Sequence, residues 1–212
     1  RIVSYCSEDL GAFYLDILKD RLYTMPAESL PRRSAQTALY HITRSLLLLL
    51  SPVLCFTAEE AWEVLGEDRE DATLFHTWHE FPAVEQVEEQ ALSAKWQQLR
   101  ELRAEVNKEI ERQRSAGLLG SSLQADVTLA VEEKLFSLLQ SLENELKFVF
   151  IVSRVNVVAG QTLQISVAPS NYAKCERCWH YEADVGRNPD YALVCGRCVE
   201  NITGKGESRR YV

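Results

Sequence analysis

The chain has 212 residues, 46% hydrophobic and 25% charged, with a formal net charge of -8. It is therefore ordinary globular material, long enough for one large or two modest domains and too apolar for a disordered tail. An acidic chain lacks the basic surface with which proteins usually hold phosphates. The excess is local, however: residues 1–50 carry 6 basic and 5 acidic side chains, residues 51–170 carry 10 and 20, and residues 171–212 carry 7 and 6.

The first residue is Arg1 and the single methionine is Met25, so the chain reads as part of a longer polypeptide with a catalytic half upstream. Over residues 9–23, Leu10, Phe13, Tyr14, Ile17, Leu18 and Leu22 recur at helical spacing and predict an amphipathic helix. TMPAESLP then interrupts the pattern with two prolines. A second helix is expected over residues 32–50, where Ala35, Leu39, Ile42, Leu46, Leu49 and Val53 step by four and three and predict a buried seam that ends at Pro52. Within it, residues 45–56 form the longest apolar run, which at 12 residues falls short of the roughly 20 needed to span a bilayer. No signal-peptide pattern occurs at the N-terminus. A cytoplasmic chain with no membrane partner is expected.

Thr57 and Glu60 have the spacing of a capping box for a short helix through Leu65, which Gly66 stops. Residues 59–89 hold 11 carboxylates and one Arg69, read as a solvated outer surface. His41, His76 and His79 have no ligand-like neighbours in sequence and are read as ordinary side chains. A long helix follows over residues 87–115, with Leu92, Trp96, Leu99, Leu102, Val106 and Ile110 as its inner stripe. The outer pairs Glu105 with Lys108, Glu109 with Arg112 and Glu111 with Arg114 each give that helix a few tenths of a kcal/mol.

After Gly117 the period changes. GLLGSSLQADVTLAV alternates like a strand, EEKLFSLLQSLENEL reads as a helix, and KFVFIVSRVNVV and QTLQISVAP read as two further strands. The expected organisation is a helical bundle at 1–116, a small α+β unit at 117–170 and a metal-binding segment at 171–212.

That last segment holds four of the six cysteines, Cys175, Cys178, Cys195 and Cys198, as two C-x-x-C pairs 16 residues apart. The spacing is that of a zinc site. Two tight turns aim four thiolates at one point and close a tetrahedron with no open position, which points to one structural ion rather than a catalytic one. Iron in the same cage, a redox pair and disulfides are the competing uses of these thiols. The other two cysteines, Cys6 and Cys55, lie singly in helical patterns and read as small apolar residues.

The segments FYLDILKDRLY and RRSAQTALYHITRSLLLLLSPVLCFTAEEAW resemble the helical anticodon-binding domain of the class I aminoacyl-tRNA synthetases for aliphatic amino acids. KWQQLRELRAEVNKEIERQR, GSSLQADV, CERCWHY and CGRCVENI are similar to the bacterial isoleucyl-tRNA synthetases in particular. The resemblance implies a mainly α fold, a helical bundle of the class I synthetase anticodon-binding type followed by the α+β unit and a four-cysteine zinc finger. It also implies a monomeric ligase that joins isoleucine to tRNA(Ile), with ATP and isoleucine bound only by the upstream catalytic domain. The catalytic signatures of that family are not matched here, the nearest strings being HITR at His41 and KGESRR at Lys205, so no catalytic residue is expected in this chain.

Unpaired RNA bases are held by stacking on aromatic or guanidinium planes. Trp179, fixed beside a metal turn, is the expected stacking platform, with Arg177, Arg187 and Arg197 as partners. In the alternative reading, Trp179 and Tyr181 roof the metal as a miniature core. Arg32 and Arg33, with Lys19 and Arg21, are candidate contacts to the RNA stem or solvated helix ends, and Lys205, Arg209 and Arg210 are read as a frayed terminus in preference to a further RNA contact. Two other classes remain open: the zinc finger of a formamidopyrimidine-DNA glycosylase, and a purely structural scaffold.

Overall fold

In the computed structural model, which describes residues 1–66, 72–83 and 86–212, helices fill the first half of the chain. Residues 67–71, 84 and 85 of the acidic stretch, Arg69 among them, lie outside the described residues. The first helix is longer than its apolar period suggests: α1 (Ile2–Ser4) passes into a wider, π-wound stretch (Tyr5–Leu15) and returns to α geometry in α2 (Asp16–Thr24). The second helix, α3 (Leu30–Leu50), starts two residues before its expected position. Pro31 lies in its first turn, where the missing N–H costs nothing and the ring presets φ.

α4 (Cys55–Leu65) begins at an uncapped Leu54. Thr57 is therefore already inside the helix and the expected capping box does not form; Glu59 instead accepts from both the backbone N–H and the hydroxyl of Thr73, each at 2.9 Å. Gly66 ends α4 at φ 82°, as its position predicts. The regular seam on α3 is only partly buried. Ala35 is covered and Leu39, Ile42 and Leu46 are half-buried, whereas Leu49 is open and Val53, beyond the end of the helix, is 77% exposed. Trp62 fills the space between α3 and α4, with Arg44 over its indole and His76 tilted against it.

The long helix α5 (Gln86–Ser115) is close to its expected bounds. At about 1.5 Å per residue it extends roughly 45 Å. Leu99, Leu102, Val106 and Ile110 are buried as predicted and Trp96 is half-buried, but Leu92 is 54% exposed because the first turns of α5 stand clear of the core. The three ion pairs on its outer side form at 2.6, 2.6 and 2.8 Å. Gly117, at φ 75°, ends the helix: its N–H and that of Leu118 bond back to Arg114 and Gln113 carbonyls, which satisfies the last turn.

Beyond it, β1 (Ala125–Val131) is the centre of a three-stranded sheet, parallel to β2 (Arg154–Ala159) and antiparallel to β3 (Gln164–Pro169). Ala125, Val127, Leu129 and Val131 alternate into the core, the period-2 signal seen in the sequence. The expected helix divides into α6 (Glu133–Gln140) and a separate short helix, α7 (Leu146–Phe150), so KFVF is helical and not a strand. A run of five apolar residues looks alike in either state when both faces are buried. The β2–β3 connection crosses the end of β1, where Gly160 donates to the Val131 carbonyl and any Cβ would come 3.1 Å from that of Ala130. α5 packs on β3 and α7, so the main core crosses residue 117 and joins the long helix to the sheet.

Leu99 is fully buried and Leu92 is not. Leu99→Ala should lower unfolding stability by about 2–5 kcal/mol, and Leu92→Ala by less than about 0.5 kcal/mol, as measured by urea titration.

Candidate metal centre and the surface around it

Two turns bring the four sulfurs together. In the first, the Trp179 N–H donates to the Cys175 carbonyl at 2.9 Å and the Cys175 N–H to the His180 carbonyl at 2.8 Å, closing a knuckle between β4 (Ala173–Lys174) and β5 (Tyr181–Glu182). Trp179 takes φ 68° in this turn, a conformation that costs an L-residue roughly 1–2 kcal/mol. In the second turn, Cys195 is the N-cap of α8 (Gly196–Thr203) and Cys198 lies in the first turn of that helix. The Cys195 N–H points at the Cys175 sulfur, 3.3 Å away.

All four thiols are buried and their sulfurs lie within 4.8 Å of one another. The Cys178 and Cys195 sulfurs are 3.8 Å apart, the edge of a tetrahedron whose metal–sulfur bonds are about 2.3 Å. As thiols the four cannot all ionise. Hydrogen bonds from Cys175, Cys195 and Cys198 hold the Cys178 thiol far below its usual range, while bonding to Cys175 and Cys178 pushes Cys198 up. A divalent cation removes that conflict by deprotonating its ligands. The set is a structural zinc site, and Val185 and Val194 are the apolar residues that cover it. The expectation that Trp179 and Tyr181 roof the metal is not met.

The metal segment is bound to the rest of the chain at several points, and the most charged of them is one carboxylate. Asp20, on the last turns of α2, accepts both Nη1 (2.7 Å) and Nη2 (2.9 Å) of Arg197, and also a hydrogen bond from Arg209. Glu207 completes the group, 2.9 Å from Arg197. Burial by itself would raise the Asp20 carboxyl, but the two guanidiniums overturn that and hold it at about 2. Arg209 is buried, with its guanidinium 3.4 Å from the centre of the Phe148 ring. The tail is therefore docked and not frayed: Glu145 accepts the backbone N–H groups of Arg210, Tyr211 and Val212 at 2.6–2.7 Å, and the Val212 side chain enters the main core. The β4–β5 hairpin is fixed as well, by Lys147 with Glu182 at 2.6 Å and by the Tyr181 N–H donating to Ser153.

These contacts redistribute the expected RNA-contacting residues. Arg197 is committed to Asp20 and Glu207, which corrects its reading as a free partner of RNA. Arg177 spans to the Thr24 carbonyl at the end of α2 (2.7 Å), and Arg32 to the Met25 carbonyl (3.1 Å). Arg33 pairs with Glu28 at the surface, and Arg187 is exposed on the loop between the cysteine pairs. Trp179 is 59% exposed, with the Lys174 ammonium 5.4 Å from its ring centre. Sequence reasoning missed Asp20 and Glu145 and the docking of Arg209, because Asp20 lies 189 positions from Arg209 and Glu145 lies 65 from Arg210. It also missed the His41–His79 contact, Nδ1 to Nε2 at 2.9 Å. Among the described residues, no helix is long and apolar enough to cross a membrane.

Residues 1–129 match the family described as the anticodon-binding domain of tRNA ligase, and residues 174–201 match a zinc finger found in FPG and IleRS. The chain belongs to the first of these families. It is 61% identical over 210 residues to the isoleucine–tRNA ligase of Chromobacterium violaceum, 58% to that of Laribacter hongkongensis and 55% to that of Neisseria gonorrhoeae. In each case 99% of this chain aligns, and it spans only 22–23% of the relative's length. A match that begins in the helical half disfavours the glycosylase reading, which shares the finger alone.

Asp20→Asn should lower unfolding stability at pH 7 by about 2–4 kcal/mol, because it leaves two buried guanidiniums with Glu207 as their one remaining carboxylate partner among the described residues. With the folded carboxyl at about 2 against an ordinary 3.8, the wild-type advantage is complete above about pH 4 and disappears as pH falls through 2. Urea titrations at successive pH values would show the two proteins converging on the acid side.

Proposed function

We propose that this chain is the anticodon-reading end of an isoleucine–tRNA ligase, which attaches isoleucine to tRNA(Ile) with ATP cleaved to AMP and pyrophosphate. Activation and transfer belong to the remaining three-quarters of such a ligase, and this part contributes no catalytic residue. It acts in the cytoplasm within a monomeric enzyme and holds the anticodon arm so that the acceptor end reaches the catalytic half. The division into a bundle (1–116), a junction unit (117–170) and a zinc segment (171–212) suits that role, with the first two forming a support and the third a recognition surface.

The observation that carries this reading is the immobilised, outward-facing Trp179. Its backbone is fixed by the metal turn, the turn is fixed to α2 through Arg177, and the indole is left in solvent although so large an apolar ring is more often covered. Rigid exposed aromatics are what unpaired bases stack on. Arg177 lines the same surface as Trp179, and Arg187, Arg32 and Arg33 are further candidate partners of the RNA.

Trp179→Ala in the full ligase should weaken tRNA(Ile) binding by about 1–3 kcal/mol with zinc retained. Trp179→Gly, which suits the positive φ, should do the same without straining the knuckle. Filter binding and metal analysis of both variants decide the matter, and unchanged affinity would remove Trp179 from the interface. Cys195→Ser should loosen residues 171–212 and impair charging of tRNA while leaving isoleucyl-adenylate formation nearly intact. Equal loss of both activities would contradict the division of labour.

A further inference from the structure

The first helix lacks the cover that its composition calls for. Over α1 and the π-wound stretch, residues 2–15, no side chain is buried, although Ile2, Val3, Tyr5, Leu10, Phe13 and Tyr14 are among them. In water a helix owes most of its stability to the apolar face it packs against a neighbour. α3 has a matching deficit. Its main neighbours are α2, α4 and the turn of helix at residues 73–75, and its apolar seam opens along its length, from the buried Ala35 to Leu49 at 41% exposure. Between the two helices lies a groove of about 320 Å³, walled by Ile2, Tyr5, Ile42, Leu46, Leu49 and Phe81.

The shape and chemistry of the groove say what fits it. Ile42, Leu46 and Leu49 step by four and three, so they present about two turns of a single apolar stripe. The side chains of a second helix at i, i+3, i+4 and i+7 match such a stripe. Arg1 is the one ionised side chain in the lining, which suits an apolar segment and not a nucleic acid. The position of the groove says where that segment comes from. This chain spans only 22–23% of the ligases it matches, and Arg1, its first residue, stands at the groove wall. Residues joined to Arg1 are held beside the groove at an effective concentration on the order of millimolar, so they fill it ahead of a free partner.

We propose that the groove seats an amphipathic helix from the stretch of the ligase that leads into Arg1, laid along α3 with its apolar stripe on Ile42, Leu46 and Leu49, and that this helix covers residues 2–15. The inference rests on the reading that this chain is one end of a longer ligase, and it adds how the two parts are joined. A seated helix makes the joint rigid. An enzyme that holds an anticodon at one end and an acceptor stem at the other needs such a joint, because a flexible one would let the distance between the two sites vary.

The test uses the full-length ligase with the photo-cross-linking residue p-benzoylphenylalanine in place of Leu49 and, as a control, in place of Leu118, which is 57% exposed just past the end of α5. Peptide mapping after irradiation should place the main product of the Leu49 variant within roughly 50 residues upstream of Arg1, room for a continuation of the first helix and one helix folded back on it. The Leu118 variant should give no product in that stretch. A Leu49 product that joins two copies of the ligase, or that maps anywhere else, overturns the proposal, as does the absence of any protein product. Independently, Leu49→Asp should speed hydrogen exchange in residues 2–15 and in the upstream stretch at least about tenfold, because the seated helix would bury an unpaired carboxylate, whereas Leu118→Asp should change it less than about twofold. Equal, small effects of the two substitutions overturn the proposal, and should Leu49→Asp fail to fold, the cross-link decides. A ligase that charges tRNA(Ile) without giving the cross-link retires this inference and leaves the anticodon reading intact; a protein that gives the cross-link without charging tRNA(Ile) does the reverse.

Discussion

The placement of the zinc segment and the C-terminal tail centres on the carboxylate of Asp20. It sits at 13% exposure between the guanidiniums of Arg197 and Arg209, and joins α2 of the bundle to the first turns of α8 in the zinc segment and to the C-terminal tail. An isolated surface ion pair contributes almost nothing, and a buried one is costly unless each charge is met by several partners. Here the forked geometry of Arg197, the second guanidinium, Glu207 and the Phe148 ring face satisfy the charges together. The return is orientation more than net stability: three segments distant in sequence converge on one carboxylate, and the knuckle cannot turn without breaking that group.

The zinc site and the clamp divide the work. Zinc gives residues 171–212 an interior, which a segment whose buried apolar contacts amount to little more than Val185 and Val194 could not build for itself. The clamp, with Lys147–Glu182 and the Glu145 cradle under the tail, fixes that folded segment on the helices and sheet. The surface that remains between them is the cleft bordered by Trp179 and His180. An anticodon reader needs such a construction, because a single-stranded base offers little binding energy and the protein gains most by holding its own side of the contact still beforehand.

The parts legible in the sequence were those written in local spacing. The paired cysteines marked the residues that gather as four buried thiols, the three- and four-residue periods located the long helices, and Gly66 and Gly117 marked where α4 and α5 stop. The errors also have physical causes. After Lys147 the run Phe148–Val152 is apolar on every side, so the helical state of its first residues has no period to display. The α3 seam is regular, but regularity tells only that a face is apolar, and at Val53 nothing among the described residues covers it. The tail looked frayed because Glu145 and Asp20, which hold it, lie at least 65 residues away, and charge pairing between distant elements leaves no local pattern. Arg197 was misread for the same reason: beside a metal turn a guanidinium looks like an RNA contact until its partner on another helix is seen.

Hydrogen–deuterium exchange of the full-length ligase, with and without tRNA(Ile), tests most directly whether the clamped knuckle is the surface that meets RNA. Slowed exchange should appear together in residues 173–182 and in the last turn of α2, the two sides of one cleft. Protection confined to the outer faces of α3 and α5, with both of those segments unchanged, would contradict the account.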